Sequence, residues 1–68
     1  MENIFKKRLK ELREDKKMSQ NALAKKVGIS QPAIVMWETG ERTPTMESLI
    51  ILAQYFGVSI DYLVGLED

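Results

Sequence analysis

The chain has 68 residues, 44% of them apolar and 29% charged, with ten Lys/Arg balanced by ten Asp/Glu. It contains neither cysteine nor histidine, which excludes a disulfide framework, a thiolate metal site, and the commonest general base and metal ligand. No apolar run approaches a membrane span and no leader peptide is visible, so residues 1–68 are expected to form one small cytoplasmic domain.

The zero net charge hides a strong asymmetry. Residues 1–31 carry nine Lys/Arg against four Asp/Glu, a net of +5, while residues 32–68 carry one Arg and six acids, a net of −5. Such a division suggests one face for an anionic partner and another turned away from it.

Helix 1 is predicted from Asn3 to Lys16. Phe5, Leu9 and Leu12 recur at four and three residues and form a narrow apolar stripe among Lys6, Lys7, Lys10, Glu11 and Glu14. Four later segments share one pattern: an apolar residue, a Ser or Thr, three residues, another apolar residue. They are Met18-Ser19…Leu23, Ile29-Ser30…Ile34, Pro44-Thr45…Leu49 and Val58-Ser59…Leu63. Each reads as an N-cap hydroxyl with a hydrophobic staple across it, and so predicts the starts of helices 2 to 5. Gly28, Gly40, Gly57 and Gly65 stand where the corresponding helices should stop. Pro32 falls in the first turn of helix 3, where its missing N–H is tolerated. Helix 4 is expected to pack through Leu49, Leu52, Ala53 and Phe56, and helix 5 to run from Ile60 to Val64. The expectation is a compact all-α bundle of five helices with short connections.

Within it, residues 19–38 carry the spacing Ala24, three residues, Gly28, five residues, Ile34. A small residue, a left-handed turn and an inward aliphatic side chain suit two short helices crossing at a tight turn. That is a helix-turn-helix, whose second helix lies in the DNA major groove. The helical period divides helix 3 in two. Ile34, Trp37 and Glu38 lie on a core side; Gln31, Pro32, Val35 and Met36 lie on an exposed reading side. Apolar Val35 and Met36 suit thymine methyl groups, and the Gln31 amide suits adenine or a phosphate. Gln20 and Asn21 at the start of helix 2, Ser30 beyond its role as a cap, and Arg42 and Thr43 after helix 3 are the candidate phosphate contacts, the alternative being that Gln20 is an ordinary first-turn residue and residues 39–43 a solvated loop. Val35 and Met36 pack on another protein in the alternative reading.

The markers Leu12-Arg13, Ser19-Gln20, Leu23-Ala24, Val27-Gly28-Ile29-Ser30, Ile34, Trp37-Glu38, Gly40, Pro44 and Phe56-Gly57-Val58-Ser59-Ile60-Asp61-Tyr62-Leu63 stand in this order. Together they resemble the Cro/C1-type helix-turn-helix family of phage and bacterial repressors, from roughly Phe5 to Leu66. The resemblance implies a lambda-repressor-like bundle with its helix-turn-helix in helices 2 and 3. It implies sequence-specific operator binding as a homodimer, and no cofactor. It places Gln20 on backbone phosphate and Gln31, Pro32 and Met36 on base edges. It makes Arg13 and Glu38 a structural salt bridge between helices 1 and 3. The chain departs from the family at Lys17, where many relatives carry Gly, and at Pro32, which offers no polar base contact. No effector domain is expected after Asp68.

Two-fold operators require two recognition helices. The candidate dimer surface is Ile60, Tyr62, Val64 and Leu66, with Ile51 and Tyr55 beside it. The expected partners are thus double-stranded DNA and a second copy, and the expected function is a repressor on a palindromic operator. The alternative is a DNA-binding antitoxin or restriction–modification controller whose apolar surface also holds a protein partner. No catalytic role or metal site is expected, since Ser19, Ser30 and Ser59 read as caps without a base, and Phe5, Leu9 and Leu12 make too narrow a stripe for a membrane face.

Overall fold

The computed structural model describes residues 3–68. Five helices follow in the predicted order: α1 (Ile4–Asp15), α2 (Gln20–Val27), α3 (Gln31–Thr39), α4 (Met46–Phe56) and α5 (Ile60–Val64). No strand occurs among the described residues. Asn3 and Lys16, expected inside helix 1, are its caps instead: the Asn3 side chain accepts the Lys6 N–H at 3.2 Å.

The four predicted hydroxyl caps are all made. Ser19, Ser30, Thr45 and Ser59 accept the N–H three residues on, at 3.0, 3.3, 3.1 and 2.9 Å. Each removes one of the unpaired donors of a helix start. α1 closes with the same hydrogen-bond pattern as α5, but without a glycine. The Lys17 N–H donates to the Glu14 carbonyl at 2.8 Å and the Met18 N–H to that of Arg13 at 3.2 Å. This closing pattern requires a left-handed residue, and Lys17 supplies it at φ 55°, the only non-glycine with positive φ among the described residues.

The core draws on every helix: Phe5 and Leu9, Leu23 and Ala24, Ile34 and Trp37, Leu49, Leu52 and Ala53, and Leu63. Phe5 meets Trp37 edge to face with ring centroids 6.2 Å apart. Leu12 and Phe56, expected in the apolar stripes, are half-buried at the margin of this core. α1 packs against α3 and α5, α2 against α3 and α4, and α4 against α5. The pair α2–α3 is therefore held from behind by α1 and α4, which leaves the outer edge of α3 uncovered. At Gly65 the chain passes so close to α1 that a Cβ there would lie 2.8 Å from the Ile4 Cβ.

Candidate nucleic-acid interface

The turn between α2 and α3 is three residues long. Gly28 takes φ 70° and ends α2, and Ile29 donates its N–H to the Ala24 carbonyl at 3.1 Å. Ser30 then caps α3. Ala24 is 6% exposed and Ile34 fully buried. The small residue and the inward aliphatic thus close the crossing as their spacing suggested.

Gln31, Pro32 and Thr39 are exposed on the outer side of α3. Pro32 and Thr39 lie two turns apart on its outermost line. Val35 and Met36, expected to be freely exposed, are half-buried. They flank that line and border the buried half of the helix. Thr39 is an exposed residue of this side of α3 that the sequence reading did not single out. Its signal was its position seven residues after Pro32. Gln20 is half-buried; Asn21, Ser30, Arg42 and Thr43 are exposed. The Ser30 hydroxyl is engaged as a cap. The Arg42 N–H donates to the Met36 carbonyl at 3.3 Å, which ties the loop after α3 to that helix. Glu41, the one acid in that loop, accepts from the Thr39 hydroxyl at 3.1 Å.

On the inner side of α3 lies a network of charged and polar groups. Arg13 Nε donates to Glu38 Oε2 at 2.7 Å, and Arg13 Nη2 to Glu38 Oε1 at 2.9 Å. Arg13 Nη1 donates to the Met18 carbonyl at 2.8 Å, and Gln20 Nε2 to Glu38 Oε1 at 3.2 Å. The Arg13 and Glu38 side chains are only 12% and 5% exposed. The hydrogen bond to Glu38 raises the Arg13 pKa above its ordinary value, against a smaller lowering by burial. A fork-to-fork pair of this kind fixes angle as well as distance. It joins α1, the α1–α2 turn, the start of α2 and the last turn of α3. The contact of Gln20 with this pair was not legible in the sequence.

The four residues of the expected dimer surface differ in their surroundings. Leu66 is 77% exposed. Ile60 and Val64 are packed against the core. Tyr62 is half-buried, with the Arg8 guanidinium 4.1 Å above its ring centroid. Arg8 Nη1 also donates to the Tyr62 and Glu67 carbonyls, both at 2.7 Å. α5 has five residues, of which Leu63 is fully buried. A helix so short has no room for a second, free apolar face, so Ile60 and Val64 serve largely the monomer core. Ile51 is half-buried. Tyr55 is half-buried as well, its hydroxyl 3.4 Å from the Met18 sulfur and its ring edge-on to Phe56. The free apolar groups are Met46 and Ile50, one turn apart on α4 and 64% and 42% exposed, together with Leu66. An apolar groove of about 310 Å³, lined among others by Ile4, Pro44, Leu49 and Val64, opens between the start of α1 and α4.

No group of His, Cys, Asp or Glu suited to a metal ion occurs among the described residues, and no helix there is long and apolar enough to cross a membrane.

A helix-turn-helix family model matches residues 9–63. The chain is 38% identical over 61 residues to the HTH-type transcriptional regulator YobD of Bacillus subtilis, covering 90% of this chain and 54% of YobD. It is 40% identical over 57 residues to repressor protein C2 of Salmonella phage P22, covering 84% of this chain and 26% of C2. Its fold matches a crystal structure of a transcriptional regulator from Listeria innocua with a TM-score of 0.87 at 29% identity, covering 100% of this chain and 64% of that one. The chain belongs to the Cro/C1-type helix-turn-helix family, whose members are DNA-binding regulators rather than enzymes. It spans about half the length of YobD and about a quarter of that of C2.

Proposed function

We propose that this chain is a sequence-specific DNA-binding transcriptional regulator in the cytoplasm, acting as a homodimeric repressor on a palindromic operator. The observation that carries the reading is the uncovered outer edge of α3, braced from behind by the Arg13–Glu38 pair. A rigid helix whose outer edge is free and whose flanks carry amide, apolar and hydroxyl groups has the shape and chemistry of a major-groove reader. Gln31, Pro32, Val35 and Met36 read base edges. Gln20, Asn21, Ser30, Arg42 and Thr43 hold phosphates on either side.

The size of the domain supports dimerisation. The chain measures 27 × 25 × 22 Å, which is less than the spacing of about 34 Å between half-sites on one face of the duplex. A second copy supplies the second α3. Among the described residues Met46, Ile50 and Leu66 are the large exposed apolar groups available for that contact, together with the partly buried Ile60, Tyr62 and Val64. The likeness to a phage repressor supports repression by promoter occupancy.

In vitro selection of bound duplexes from a random pool, at two salt concentrations, tests the proposal. An enriched palindrome with half-sites about one helical turn apart is expected, and binding should weaken steeply with salt. Failure to enrich any sequence, with retention that depends only on salt, would overturn sequence-specific recognition.

A further inference from the structure

Gln20 stands at the first position of α2, beside the orphan N–H groups of that helix start. Its amide does not point freely into solvent. Nε2 lies 3.2 Å from Glu38 Oε1, the same oxygen that accepts Arg13 Nη2 at 2.9 Å. A carboxylate accepts and never donates, so only the nitrogen side of the amide can face Glu38. The flip of the Gln20 amide is therefore fixed. One N–H is spent on Glu38, and the second N–H and the carbonyl oxygen are turned elsewhere. The carboxylate is itself immobile, since Arg13 grips both of its oxygens and Arg13 is anchored on the Met18 carbonyl.

We infer that Glu38, clamped by Arg13, is a positioning residue for Gln20, setting its remaining amide N–H for a backbone phosphate at the start of α2. The inference rests on the DNA-binding reading above. Without the Glu38 contact, a glutamine near the surface samples many rotamers and both amide flips, and a phosphate contact must then order it at an entropic cost. Glu38 removes that cost in the free protein. It touches no DNA itself, so the share of its influence on affinity that passes through Gln20 should be the same for every sequence.

A double-mutant cycle on DNA binding, with Gln20→Ala and Glu38→Gln, tests this. Gln20→Ala is expected to weaken binding about fivefold to tenfold on all sites alike. Glu38→Gln should weaken binding by a clearly larger factor in the wild-type background than once Gln20 is alanine, the remainder of the loss being the share that runs through the angle of α3. If the two losses simply multiply, or Glu38→Gln leaves affinity unchanged, Glu38 does not act through Gln20, while the phosphate contact stands. If Gln20→Ala leaves binding to a selected operator unchanged, the phosphate contact falls and the positioning role with it. Glu38→Gln also weakens the Arg13 pair, so a measurement on the unmutated protein is made beside it. In NMR spectra the Gln20 side-chain amide proton that faces Glu38 should show a shift displaced from its random-coil value, little temperature dependence and slowed exchange before DNA is added. Random-coil shifts and exchange for both amide protons would overturn the inference whatever the variants do.

Discussion

Arg13 on α1 and Glu38 on α3 meet through two parallel hydrogen bonds of 2.7 and 2.9 Å, with side chains 12% and 5% exposed. The reading helix is thereby bolted to the helix behind it at one fixed angle. Removing either partner leaves a poorly solvated charge. Arg13→Ala or Glu38→Ala is expected to cost about 2–4 kcal/mol in urea denaturation. Replacing both together, Arg13→Met with Glu38→Leu, should cost less than the worse single change, because no buried charge is then orphaned. The double variant should still lose DNA affinity, since an apolar contact does not fix the angle of α3.

The same pair sets a pH expectation. Glu38 raises the pKa of Arg13, and a group whose folded pKa is raised contributes stability below its unfolded pKa and loses it as pH climbs through the folded one. For arginine both lie in strong alkali. The Arg13 side of the pair should therefore give a flat stability profile from neutral pH to moderately alkaline pH. A loss of stability between pH 7 and 10 that vanishes in Arg13→Ala would contradict it.

Lys17 holds φ 55° where glycine is at ease. Lys17→Gly is expected to stabilise the domain by about 0.5–1 kcal/mol, after the greater chain entropy of glycine is subtracted, and to raise Tm by several degrees. Gly65→Ala serves as the opposite control. There a Cβ would lie 2.8 Å from the Ile4 Cβ at φ 90°, so Tm should fall.

Base and phosphate contacts should separate in binding measurements. Met36→Ala is expected to change preference at one base position by about 1–3 kcal/mol. Arg42→Ala should weaken all sequences alike and lower the slope of log K against log salt by about 0.9. The reverse pattern would exchange the roles assigned to helix and loop.

The apolar surface makes a prediction about assembly. Met46→Asp or Leu66→Asp should shift sedimentation equilibrium toward monomer with little change in unfolding free energy, since both residues are more than half exposed. Val64→Ala and Ile60→Ala should instead lower stability, because those side chains pack on the core. Should the unmutated protein be monomeric at micromolar concentration, Met46, Ile50 and Leu66 belong to a contact with a different protein.

Local signals settled a great deal in advance. Ser19, Ser30, Thr45 and Ser59 cap their helices because a hydroxyl beside a free N–H needs nothing from the rest of the chain. The spacing Ala24, Gly28, Ile34 placed the turn, since crossing helices admit only a small residue, a left-handed one and an inward aliphatic there. Charge order along the chain, the absence of histidine and cysteine, and the family pattern were equally plain in the letters.

Other features depended on which helices became neighbours. Val35 and Met36 are half-buried, and Tyr62 lies under Arg8, because burial follows from packing that a helical wheel does not contain. Ile60 and Val64 went to the monomer core once five-residue α5 had to cover Leu63, which left Met46, Ile50 and Leu66 as the free apolar groups. The resemblance named Arg13 and Glu38 as partners, but the third member of their network, Gln20, came from geometry alone. Sequence by itself determined the helices, their order and the turn, through interactions a few residues long. Tertiary structure decided which side chains remain free to touch another molecule, because that is fixed by contacts between residues far apart in the chain.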